Sequence, residues 1–90
     1  MNRGRIEILR DMLVALDGGG KKTHVMFRTN ITHKMVERYL AILLATQCAR
    51  KDGEHYHITE KGQNLRDTVT NIIEMIDVEP EMEEALLQIA

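Results

Sequence analysis

The hydrophobic period of this 90-residue chain changes twice, and that restricts what it can fold into. Up to Thr46 apolar residues recur every three or four positions, between Cys48 and Thr59 the helical period is lost around Asp52-Gly53, and after Thr59 the helical spacing returns. A period near 3.6 buries one face of a helix and a period of two buries one face of a strand. The chain therefore reads as helices interrupted by a single β-hairpin: mainly α, with one core, since a second would leave each half too small to bury enough apolar surface. Aromatic residues are 3% of the chain and Trp is absent, so that core has to be built from Leu, Ile, Val and Met.

Ile6, Leu9, Leu13 and Leu16 predict an amphipathic first helix from Arg5 to Leu16, stopped by Gly18, Gly19 and Gly20. A phosphate-binding glycine loop is a poor fit, because it needs a preceding strand and Gly-Lys-Ser/Thr at set spacing, whereas here Lys21 and Lys22 precede Thr23. A short second helix over 23–29 would turn Val25, Met26 and Phe27 inward, and Asn30 suits a left-handed turn after it. Thr32 is an N-cap residue with Ile31 and Val36 placed as a hydrophobic staple. The helix it opens runs to about Thr46, with Met35, Val36, Tyr39, Leu40, Leu43 and Leu44 on one side and His33, Lys34, Glu37, Arg38, Ala41 and Ala45 on the other. Asp52-Gly53 predicts a two-residue turn pairing Lys51 with Glu54, Arg50 with His55 and Ala49 with Tyr56, so that Tyr56 and Ile58 share the core face. Thr59 caps a last long helix, in which Leu65, Val69, Ile72 and Ile76 step in heptad fashion and Ile73 widens the stripe. Pro80 predicts an end or kink near Asp77, before a short acidic helix with Met82, Leu86, Leu87 and Ile89.

The formal net charge of -2 conceals an asymmetry. Residues 1–66 hold all 12 Lys and Arg against 7 acids, and residues 67–90 hold 7 acids with no Lys or Arg, which implies a basic working face and an acidic appendage. No apolar run is long enough for a membrane span and the first ten residues are charged, so a cytoplasmic protein without an export signal is expected. A single cysteine, Cys48, allows no internal disulfide.

Two stretches resemble a known group, the small archaeal winged-helix DNA-binding proteins and transcriptional regulators with a C-terminal coiled-coil helix. Gly20-Lys21-Lys22-Thr23-His24-Val25-Met26-Phe27-Arg28-Thr29-Asn30-Ile31-Thr32 is similar to that family's Gly-Lys-Thr, Ile-Met-Tyr, Asn-Leu-Ser run into the recognition helix. Tyr56-His57-Ile58-Thr59-Glu60-Lys61-Gly62 is similar to its Tyr-x-Leu-Thr-x-Lys-Gly at the close of the wing. The likeness spans roughly residues 3–76 and departs at Gln47-Cys48-Ala49, where the family usually has Gly and two large aliphatics, a change that touches the packing of the first wing strand. It implies a winged helix-turn-helix with a long C-terminal helix: a DNA-binding domain over 1–62, and a dimerisation helix with an acidic tail over 63–90.

On that frame the helix of about 32–46 enters the major groove and the wing of about 48–59 meets the backbone or minor groove. Thr32 and His33 stand at the reading end, Lys34 and Arg38 are one turn apart for guanine or phosphate, and Glu37 lies between them. Arg50 and Lys51 serve the wing, Lys21, Lys22 and Arg28 the phosphates beside the second helix, with Arg3 and Arg5 as further anchors. The plain alternative for each is a solvated charge, such as a helix face of Lys34, Glu37 and Arg38 with an i,i+4 pair, or a Lys51–Glu54 turn pair. Double-stranded DNA is the expected partner, with a second copy of the chain held through Leu65, Val69, Ile72, Ile73 and Ile76, and a possible protein partner for the acidic end. No cofactor is expected. Cys48, His55 and His57 offer zinc-type ligands, with His24 and His33 elsewhere, but a small core cysteine and a polar strand face explain them better, and no metal site is expected. No nucleophile with an activating neighbour stands out, so catalysis is not expected. The competing classes are a winged-helix module for protein interaction and a nonspecific nucleoid protein.

Overall fold

The first helix begins without a side-chain cap and is held by its buried stripe. In the computed structural model, which describes residues 3–76 and 87–88, α1 is Arg5–Ala15, followed by β1 (Gly20–Lys21), α2 (Lys22–Thr29), α3 (His33–Ala45), β2 (Ala49–Asp52), β3 (His55–Ile58) and α4 (Glu60–Ile76). The kink at Pro80 and the acidic helix after it lie outside the described residues.

The inward face of α1 is made by Ile8, Met12, Leu13, Ala15 and Leu16, all buried. This corrects the expected stripe at its start, because Ile6 is exposed and Leu9 only half-buried. Both sets have helical spacing, and packing on α2, α3 and α4 selects the one centred on Met12. Val25 of α2, Val36, Leu40 and Leu43 of α3, and Cys48, Ala49 and Tyr56 of the sheet complete the core. Each large aliphatic side chain there contributes about 1.5–3 kcal/mol of transfer free energy. Phe27, expected inward, is 87% exposed on α2.

Asn30 ends α2 at φ 54°, the left-handed conformation expected of it, and its N–H donates to Met26 O. Thr32 caps α3 by accepting from the Met35 N–H at 3.2 Å. Val36, Leu40 and Leu43 are buried along α3, while His33, Lys34, Glu37, Arg38, Ala41 and Ala45 face solvent as predicted.

The exit from α3 explains the departure at Gln47. Gln47 has φ 64°, the Cys48 N–H donates to Leu43 O at 2.8 Å and the Gln47 N–H to Leu44 O at 3.1 Å, the paired bonds of a Schellman motif with its left-handed residue at Gln47. That conformation suits glycine, the usual residue there in the family resembled. Small Cys48 and Ala49 are both buried, so the first wing strand packs closely without large aliphatics.

The sheet has three antiparallel strands in the order β1-β3-β2, one more than the expected hairpin. Its register also differs: Ala49 pairs with Ile58, Arg50 with His57, Lys51 with Tyr56 and Asp52 with His55. The turn is therefore Gly53-Glu54, with φ 61° at Gly53 only, as in a type II′ turn, and not Asp52-Gly53. The slip is two residues in the pairing, so Tyr56 and Ile58 keep their shared face, Tyr56 buried and Ile58 half-buried.

The segment Thr59-Glu60-Lys61-Gly62 closes the structure onto the end of α3. The Thr59 N–H donates to Cys48 O at 3.1 Å, its hydroxyl donates to Gln47 O at 2.6 Å and accepts from the Gly62 N–H at 3.1 Å, and Lys61 Nζ donates to Thr46 O at 2.7 Å. Gly62 is buried, and a Cβ there would collide with the carbonyl oxygen of Cys48. From this knot α4 runs beside α1, with Val69 buried, Leu65 and Ile73 half-buried, and Arg66 within 3.7 Å of Asp17. Mainly helical with a small sheet and a long final helix, the architecture is the winged arrangement that the sequence motifs implied.

Candidate nucleic-acid interface

Because Val36, Leu40 and Leu43 turn inward, the opposite face of α3 has to point outward, and it carries Thr32, His33, Lys34, Glu37 and Arg38. Glu37 is the partnered member: its Oε1 lies 3.3 Å from Lys22 Nζ and 3.5 Å from His33 Nε2. Lys34 and Arg38 flank it and have no ion pair or side-chain hydrogen bond among the described residues. Two cations one helical turn apart are thus left with charge and donors directed at solvent. Arg38 presents a planar fork suited to two parallel acceptors, and Lys34 a compact point charge.

The sheet brings the other cations alongside. Arg50 on β2 is exposed and likewise has no ion-pair partner among the described residues. Lys51 stands over the Tyr56 ring, its Nζ 5.5 Å from the centroid. Lys21 enters the same neighbourhood on β1, paired in register with His55, with its Nζ 3.7 Å from Glu54 Oε2. The periodicity does not reveal β1, since two residues carry no period, and yet this strand gathers Lys21, Lys22 and Lys51 around one tyrosine.

Arg28 has a different occupation. Its guanidinium donates to Ala15 O at 2.8 Å, satisfying a carbonyl at the open end of α1, and to Gly19 O of the following loop at 3.5 Å. Arg3 is drawn onto Asp11 at 2.8 Å and Asn30 O at 3.3 Å, whereas Arg5 is exposed without an ion-pair partner among the described residues. Cys48 is buried and His55 exposed, and among the described residues no group of three or more His, Cys, Asp or Glu is placed to hold a metal ion. No helix among the described residues is long and apolar enough to cross a membrane.

Comparison with known proteins bears on the fold around this face. A family model described as winged helix-turn-helix matches residues 2–77. Two uncharacterized proteins of Methanocaldococcus jannaschii are similar in sequence. One is 23% identical over 79 residues, covering 87% of this chain and 81% of the relative. The other is 29% identical over 77 residues, covering 84% of this chain and 36% of the relative, so the chain spans about a third of that protein. Among solved structures, Sso10a-2, a DNA-binding protein from Sulfolobus solfataricus, superposes with a TM-score of 0.77 at 24% identity, over 97% of this chain and 93% of that one. At that identity the match establishes shared fold.

Proposed function

This chain belongs to the winged helix-turn-helix family, and from that membership we propose that it binds double-stranded DNA with α3 in the major groove and the β2–β3 wing against the backbone or minor groove. The observation that carries this is the outward face of α3, where Lys34 and Arg38 stand one turn apart, exposed and without counter-charges among the described residues. A phosphate backbone supplies those counter-charges, and guanine edges accept the two-pronged hydrogen bonds that Arg38 can offer. The DNA-binding name of Sso10a-2 is consistent with it.

In this reading Thr32 and His33 meet base edges first, Glu37 discriminates among bases by accepting from cytosine or excluding phosphate, and Arg50, Lys51, Lys21 and Lys22 hold the backbone. The working unit is a homodimer joined through α4, acting in transcriptional regulation. The support for the dimer is local: Ile72 is 42% and Ile76 66% exposed, Met75 is exposed too, and a helix bearing this much unburied apolar surface gains from a partner copy.

The deciding experiment is duplex binding as a function of salt. Lys34→Ala combined with Arg38→Ala is expected to weaken binding by tenfold or more and to reduce the slope of log K against log salt by about 0.9 for each phosphate left without its cation. A folded double mutant that binds unchanged removes α3 from the interface. Selection of bound sequences from random duplexes then separates a regulator, which returns a motif, from a packaging protein, which returns none.

A further inference from the structure

Between the start of α2 and the wing lies a pocket of about 300 Å³ lined by Lys21, Lys22, Thr23, Lys51, Glu54 and Tyr56. Three lysines and one glutamate are among its lining residues, so the formal charge of the lining is positive. Tyr56 is only 5% exposed, yet its hydroxyl makes no hydrogen bond to any described residue and is not sealed from solvent. A phenol whose ring is packed beside a pocket and whose hydroxyl is not sealed from solvent is an available donor. The start of α2 adds to the field, since no side chain caps it and no acid lies in its first turn.

We propose that this pocket binds one phosphate group, with Lys21, Lys22 and Lys51 supplying charge and the hydroxyls of Thr23 and Tyr56 supplying directed hydrogen bonds. Glu54 is the built-in competitor. Its carboxylate sits 3.7 Å from Lys21 Nζ at the pocket and occupies a cation that the phosphate needs. With 83% of its side chain exposed, it leaves without disturbing the core. Lys22 is likewise shared with Glu37 of α3 at 3.3 Å, which connects occupancy of the pocket to the charge on the DNA-facing helix. The phosphate belongs either to the backbone of bound DNA, in which case the proposal rests on the function proposed above, or to a free phosphorylated molecule.

The test is a titration of the isotopically labelled full chain with sodium phosphate, ionic strength being held constant with sodium chloride and backbone amide signals followed by NMR. Saturable shifts at Lys22, Thr23 and Tyr56 are expected, tightened about threefold by Glu54→Gln and weakened by a similar factor in Lys51→Ala, the scale of one exposed ion pair. Tyr56→Phe keeps the packed ring and also weakens binding, by the contribution of one hydrogen bond. Shifts no larger than those in chloride alone, or saturation unaffected by Tyr56→Phe and Lys51→Ala, overturn the proposal. A second arm adds duplex DNA. Duplex that binds and abolishes the response to phosphate identifies the backbone as the source, while duplex that binds and leaves the response intact identifies a free ligand. Phosphate binding without duplex binding sustains the pocket and defeats the DNA proposal.

Discussion

Gln47 holds a left-handed conformation that its side chain disfavours, at φ 64°. Gln47→Gly is therefore expected to stabilise the protein by up to about 1 kcal/mol, the relief of left-handed strain being offset in part by the greater entropy of glycine in the unfolded chain. Thermal or urea unfolding measures it, and a lowered midpoint would refute the strain. Gly62 is the opposite case. Gly62→Ala forces α4 away from the Cys48 carbonyl and is expected to cost at least about 2 kcal/mol by the same measurement, in the manner of an overpacked core site. Neither role is open to inspection of the sequence alone. A left-handed glutamine has no signal of its own beyond the glycine that the resembled family usually carries there, and the need for glycine at position 62 arises from the carbonyl of Cys48, distant along the chain. Thr32, Asn30 and Thr59 are legible because capping and left-handed turns are written in residues adjacent to the backbone they satisfy.

Among the elements, the ones with a long period are legible and the shortest is not. The helix spans and the presence of a hairpin follow from local chemistry, but the choice between two stripes on α1 depends on which neighbours it meets. The turn could close at Asp52-Gly53 or at Gly53-Glu54 with the same faces preserved, so alternation does not select the register. Phe27 is expected inward but stands two residues after Val25, on nearly the opposite side of the helix, so burying Val25 and Thr29 turns Phe27 to solvent. The pairing of α1 with α2 gives a prediction of its own. Because Arg28 donates to Ala15 O, Arg28→Ala is expected to lower stability by about 1–2 kcal/mol while leaving the salt slope of duplex binding unchanged. A reduced slope with unchanged stability would return Arg28 to the phosphate-contacting role that its sequence position implies.

For the molecule as a whole, the exposed apolar end of α4 separates a monomer from a pair. If Ile72 and Ile76 pack against a second copy, the thermal midpoint rises with protein concentration. Ile72→Lys with Ile76→Lys is expected to remove that dependence and to give a monomer by light scattering, with the core unaffected because Val69 remains buried. A midpoint independent of concentration in the unaltered protein would count against the dimer. The candidate DNA face is legible as a set of residues on one helix and one hairpin, while its division into free cations (Lys34, Arg38, Arg50) and engaged ones (Lys21, Lys22, Arg28) among the described residues requires the three-dimensional partners.

The knot at Thr59, Lys61 and Gly62 welds three departures to one point: the end of α3, the entry to the wing and the root of α4. Those contacts tie the end of the helix that would read DNA to the root of the helix that would join two copies. In the dimer proposed above, the geometry of pairing at the far end of α4 would set the stride between two reading heads, much as the angle of a pair of calipers at its pivot fixes the gap at its tips.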